Sequence, residues 1–215
     1  MKIHKYDSYE DYVKAQIDGN IRKINNSYVD PNSIEMLVEH LYTKYSLKPN
    51  MVLCHGTRRG LEQQYFKDSF KLYDITPTII GTEISPTSKD YPNTIQWDFH
   101  NIKDEWVGNV GLIYSNSFDH SYKHVDCLDA WMSCLSAGGK CVLEYSEVCD
   151  TKSDKTDPLG AMLDEYKEFI RNTKYLSQIG EDAEDEVKKV LENFGMKTLY
   201  EGGHGDYIDM LFGID

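Results

Sequence analysis

Ten residues, Met51 to Gly60, govern how the rest of this chain is arranged; they read Met-Val-Leu-Cys-His-Gly-Thr-Arg-Arg-Gly. The apolar run Met51-Val52-Leu53-Cys54 is bounded by Pro49 and Gly56, the pattern of a strand buried on both faces of a parallel sheet. Leu61-Glu62-Gln63-Gln64-Tyr65-Phe66 then reads as the first turns of a helix, so the chain must reverse sharply between the two. Gly56 and Gly60 suit that reversal, because glycine accepts positive φ and lets a ligand approach the backbone. A strand, a glycine turn and a helix N-terminus together form an edge whose free N–H groups suit a nucleotide.

The flanking sequence extends this unit in both directions. A helix is expected over residues 8–24, and a second opens with Asp30 as its cap and Pro31 at its first position. Ile34, Leu37, Val38 and Leu41 keep helical spacing along it. Further strands are expected at 78–83, 94–98, 110–114 and 140–145, with a helix over 123–135 closed by Gly138-Gly139. Residues 148–158 read as a loop. Helices are expected at 159–171 and 181–194, then a hairpin of 196–200 and 206–212 whose tip is Gly202-Gly203-His204-Gly205. This alternation predicts an α/β fold, a Rossmann-like seven-stranded and mostly parallel sheet with an antiparallel last strand and helices on both faces. Residues 1–50 are read as helices packing on a core domain of 51–215.

Composition narrows the partners. With 215 residues and a net charge of −13, the chain is expected to repel phosphate backbones, so nucleic acid is not an expected partner. The five cysteines include no C-x-x-C pair, which predicts free thiols in a reducing compartment. Met1-Lys2-Ile3-His4-Lys5-Tyr6 leads into no apolar core, and no run reaches membrane-spanning length. A cytoplasmic chain without a membrane partner is the expectation.

Several of these residues carry a resemblance. The order of elements, with acids ending the second and third sheet strands, resembles the class I S-adenosylmethionine-dependent methyltransferases over roughly residues 31 to 215. Gly56 and Gly60 match the first and third glycines of that family's strand-one motif. Cys54 stands where the family has an acid, and Arg58 where it has the middle glycine. The resemblance implies that S-adenosylmethionine is the cofactor. It implies cofactor contacts from His55, Gly56, Thr57 and Gly60 in the turn, and from Glu83 with Ile84 at the ribose hydroxyls. Asp98 and Phe99 would flank the adenine, and Asn116 with Ser117 would lie beneath the methionine. Leu135-Ser136-Ala137-Gly138-Gly139 resembles the turn before the family's fifth strand. A carboxylate at the end of the second strand also suits two vicinal hydroxyls on physical grounds, through charge-assisted hydrogen bonds.

Two other classes stay open at this point. A nicotinamide-dinucleotide oxidoreductase also ends its second strand in an acid, but its G-x-G-x-x-G is absent here. A degenerate methyltransferase fold serving as an interaction partner is kept open by Cys54 and Arg58. For catalysis, Asn116-Ser117-Phe118-Asp119-His120-Ser121-Tyr122 offers a base beside the expected methyl position. His120 titrates in the right range, and Asp119 can orient it or act itself. His55 and His204 are reserves for that role. Tyr122 and His204 are read as substrate contacts. Asp119 with Glu144 or Glu147 makes a poor divalent cluster, so no metal is expected. Within the resembled family, the absence of an Asn-Pro-Pro-Tyr-like tetrapeptide implies an acceptor other than an amide or base nitrogen. The sixteen tyrosines suit a polyhydroxylated acceptor and ordinary packing equally, and O-methylation of a small hydroxylated molecule such as a sugar or glycan is the expectation.

Overall fold

The computed structural model describes residues 1–174, 189–196 and 207–214. The chain begins with a two-residue strand, Lys2–Ile3 (β1), and a helix, Tyr9–Arg22 (α1). Ser8 caps α1 by accepting from the Asp11 amide at 3.1 Å. The second helix, Pro31–Tyr45 (α2), starts as its sequence dictates. Asp30 Oδ1 accepts from the amides of Asn32 and Ser33 at 3.0 and 3.1 Å, and Pro31 occupies the first turn, where no amide is needed.

Strand Met51–His55 (β2) leads through the glycine turn into helix Leu61–Lys71 (α3), and Thr78–Glu83 (β3) and Thr94–Gln96 (β4) follow. Val110–Ser115 (β5), His124–Cys134 (α4), Leu135–Tyr145 (β6), the short helix Glu147–Asp150 (α5), Leu159–Gly160 (β7) and Leu163–Arg171 (α6) come next. The last strands are Lys189–Met196 (β8) and Tyr207–Ile214 (β9). Seven strands form one sheet in the order β4-β3-β2-β5-β6-β9-β8. β2 pairs in parallel with β3 and β5, setting Cys54 opposite Gly81 on one side and Tyr114 on the other. β9 is antiparallel to both β6 and β8. The expected mostly parallel sheet with an antiparallel last strand is therefore what forms.

The period-2 alternation of buried strands divides the core into two layers. Leu53, Ile113, Cys141 and Leu143 face one side, against Phe118, Trp131 and Tyr166. Val52, Cys54, Leu112, Tyr114 and Val142 face the other, against α2 and α3 through Ile34, Leu37, Val38 and Phe66. With helices covering both faces, the C-terminal edge of the parallel strands is where side chains can converge on a ligand.

Four element assignments need correction: Gly138-Gly139 lie within β6 rather than closing α4, residues 148–150 of the expected loop belong to α5, and two helices differ. Residues 189–194 are not helical: they belong to β8, where the long pairing with β9 overrides a local pattern compatible with either state. The helix expected from 159 begins only at Leu163, because Leu159 and Gly160 pair with Ile3 and Lys2. The expected hairpin tip, including His204, and residues 197–200 lie outside the described residues.

Candidate functional site

β2 ends in a turn with three left-handed residues, Gly56 (φ 74°), Arg58 (φ 46°) and Gly60 (φ 73°). The amides of Gly56 and Thr57 donate to Thr82 O at 2.9 and 3.1 Å. A Cβ on Gly56 would stand 2.7 Å from Ser117 Cβ, so the turn can press against the loop after β5 only with glycine there. The carboxylate of Glu83, at the end of β3, closes the arrangement. Its Oε2 accepts from Arg58 N at 3.1 Å, and its Oε1 accepts from Ser85 N at 2.9 Å. Burial raises its pKa, against the Ser85 amide and the Arg58 charge. Each oxygen keeps acceptor capacity for a further donor.

Asp98 lies just beyond β4 and is more heavily engaged. Its Oδ1 accepts from the His100 amide at 3.0 Å and lies 2.7 Å from His100 Nδ1, while Oδ2 accepts from Tyr9 Oη at 2.8 Å. Burial works to raise its pKa, but the His100 and Tyr9 hydrogen bonds outweigh it and hold the carboxyl low. Glu83, Ile84, Asp98 and Phe99 line one side of a narrow cleft of about 40 Å³, and Gln16 and Asn20 of α1 line the other. Gly56, Arg58, Ser117 and His120 are shared between this cleft and a larger cavity of about 280 Å³.

The loop after β5 forms one wall of that cavity. Ser117 Oγ donates to Gly56 O at 3.2 Å, and Asn116 Nδ2 donates to Tyr28 O at 3.4 Å. His120 Nδ1 lies 2.8 Å from Gln16 Oε1, and Gln16 Nε2 donates to Thr156 O at 3.0 Å. That second bond fixes the amide orientation, so the network assigns the Nδ1 proton to His120. Nε2 is 3.3 Å from Asp157 Oδ1 and 3.8 Å from Asp119 Oδ1. Burial pushes the Asp119 pKa up to about 6, opposed by His120. One ligand atom from each of Asp119, His120 and Asp157 falls within 4.8 Å of the others, a spacing that could hold a metal ion. Lys23 Nζ already donates to Asp157 at 3.3 Å and supplies a positive charge there.

The remaining expected residues divide by position. Thr57 lines the larger cavity and accepts from Gln63 Nε2 at 3.3 Å. His55 points its imidazole into the core: the ring stacks on Trp131 at 4.5 Å, and Nδ1 lies 2.8 Å from Thr82 Oγ1. Burial, with the nearby His100, lowers its pKa to about 3, so it stays neutral and is no reserve base. Gly60 heads α3 and faces Thr94 and Gln63. Tyr122 packs on Tyr12 and His100 at 4.4 and 4.6 Å, buttressing the side chains around Asp98.

Several cavity residues lie outside the expected cofactor and catalytic set. Glu62, in the first turn of α3, looks like any acid favoured by a helix N-terminus, yet it is 6% exposed and lines the cavity. Burial pushes its pKa up to about 7. Glu144 accepts from Tyr114 Oη, and burial pushes it up to about 8. An acid inside the apolar run Cys141–Tyr145 was the available signal for Glu144. Lys23, Gln16 and Asp157 reach the site only through tertiary packing.

The strand order, the antiparallel β9 inserted between β6 and β8, and the acid-ended β3 beside a glycine turn define the class I S-adenosylmethionine-dependent methyltransferase fold. Solved structures of such enzymes superpose on most of the chain. A Burkholderia thailandensis 1,6-didemethyltoxoflavin-N1-methyltransferase, with bound 1,6-didemethyltoxoflavin and S-adenosylhomocysteine, matches with TM-score 0.65 and 11% identity over 97% of this chain and 91% of its own. A plantazolicin methyltransferase, in complex with a triazolic desmethylPZN analogue and S-adenosylhomocysteine, matches with TM-score 0.66 and 12% identity over 95% of each chain. A methyltransferase from Clostridium acetobutylicum matches with TM-score 0.58 and 10% identity over 91% of this chain and 96% of its own. No protein-family model and no curated relative matches the sequence. Among the described residues, no helix is long and apolar enough to cross a membrane.

Proposed function

We propose that the chain binds S-adenosylmethionine and transfers its methyl group to a hydroxyl of a small molecule such as a sugar or glycan. The observation that carries this reading is Glu83, held by the Arg58 and Ser85 amides beside Gly56, at the strand edge of a methyltransferase fold. Its residual acceptor capacity fits a vicinal diol, and the unpartnered Glu62 Oε2 and Arg59 Nε fit a charged head group farther along the cavity. Glu83, Ile84 and Phe99 would hold the nucleoside. Asp98, already engaged by Tyr9 and His100, would contribute through its remaining acceptor site. Asn116 and Ser117 would form the wall beneath the methionine end.

When bound, the cofactor supplies an electrophilic methyl group on a sulfonium. For a hydroxyl acceptor, His120 takes the proton at Nε2, and Asp157 and Asp119 stabilise the resulting imidazolium. Gln16 holds the ring through Nδ1. The polar lining at this end, including Ser146, Asp154 and Lys23, suits an acceptor with several hydroxyls. Incubation with labelled donor against sugar, phenol, peptide and RNA pools tests the reading. Label in the sugar or other hydroxylated pool is the expected result. Label confined to peptide amines or RNA contradicts the acceptor class.

A further inference from the structure

Three charged residues of the larger cavity each keep a buried atom unmatched: Glu62 Oε2, Glu144 Oε1 and Arg59 Nε. Glu62 and Glu144 are 6% and 4% exposed. A buried polar atom without a partner is costly, and a native site that keeps several points to a group supplied from outside. The two carboxylates lie close enough for Glu62 to raise the pKa of Glu144, after burial as the main cause. Glu62 is also near Cys54: burial first, and then the Glu62 charge, hold that thiol well up. Cys54 stands where the family that the sequence resembles carries an acid. Glu62, in the first turn of α3, lines the cavity.

We propose that Glu62 receives the α-ammonium group of the cofactor's amino-acid end and that Arg59 receives its carboxylate, with Glu144 as a second anion behind Glu62. This assignment rests on the cofactor reading above. An ammonium offers three donors, enough for the open Glu62 and Glu144 oxygens together. Arg59 lines the same cavity, its Nη2 donating to Asn26 O at 3.5 Å and its Nε left over. Both charges of an α-amino acid are thereby matched within one cavity. Cys54 itself is part of the apolar core beneath α2 and α3.

The test is a set of calorimetric titrations with S-adenosylhomocysteine and with 5′-methylthioadenosine, which keeps the nucleoside and thioether but lacks the amino-acid end. Wild type should bind the first more tightly by about tenfold or more. Glu62→Gln should weaken S-adenosylhomocysteine by about ten- to a hundredfold and leave 5′-methylthioadenosine within about twofold. Arg59→Gln, at a half-buried position, should show the same selective loss and serves if the Glu62 variant does not fold. Equal affinity of wild type for both ligands overturns the proposal while leaving the cofactor reading intact. Variants that keep wild-type affinity, or that weaken both ligands equally, overturn it as well. Failure of wild type to bind either ligand removes the cofactor reading itself.

Discussion

Gln16 and His120, 104 residues apart in sequence, meet at 2.8 Å between Oε1 and Nδ1. The bond joins α1 to the loop after β5, and it is part of a larger clasp. Tyr6 Oη donates to Lys155 O at 2.8 Å, the His4 amide donates to Pro158 O at 2.8 Å, and β1 pairs with β7. The N-terminal segment and residues 151–160 thus form one roof over the cavity, and the orientation of the proposed base depends on it.

His120→Ala should lower kcat by about 10²–10⁴-fold once an acceptor is in hand, with cofactor affinity within a few-fold. Gln16→Leu, which removes only the ring's orienting partner, should lower kcat by about tenfold under the same assay. A His120 variant that keeps most of its rate moves the base elsewhere, first to Asp119.

Stability of the ligand-free protein should fall as pH rises from about 6.5 to about 8.5. Burial raises Glu62 to about 7 and Glu144 to about 8, so the folded state holds protons that the unfolded chain has already released. Their contribution is complete below the unfolded carboxylate range and is lost as pH passes through the folded values. His55, lowered to about 3, acts oppositely but only below its unfolded value of 6.5, which confines its effect to lower pH. The loss should be on the order of 2–4 kcal/mol, seen as a fall in Tm of roughly 5–10 °C. Thermal melts across this range check it, and Glu144→Gln should flatten the slope. A Tm that rises through the window contradicts the assignment.

Turnover should persist in excess chelator. Asp119, His120 and Asp157 have metal-like spacing, but the Lys23 ammonium at 3.3 Å from Asp157 already balances charge there. Loss of activity that magnesium or manganese restores would make these three the ligands.

Strands buried on both faces were legible as apolar runs: Val52-Leu53-Cys54 and Leu112-Ile113-Tyr114 are fully enclosed, as their composition implies. β8 was not, because Val190, Leu191 and Phe194 fit helical spacing and only pairing with β9 decides their state. β7 was invisible for a related reason, since its partner β1 lies at the other end of the chain. In the site, Gly56 and Glu83 could be found because a turn and a strand end are local features. Lys23 and Asp157 could not, because their meeting depends on how α1 folds over the sheet. Asp98 was visible as an acid, but its capture by Tyr9 and His100 was not.

The most direct measurement is calorimetric titration of S-adenosylhomocysteine into the wild-type chain and into Glu83→Ala, with circular dichroism confirming that both are folded. Wild type should bind, and the variant should bind about ten- to a hundredfold more weakly, because the diol loses its charge-assisted acceptor. Absence of binding by the folded wild type, or binding of a nicotinamide dinucleotide in its place, would contradict the account.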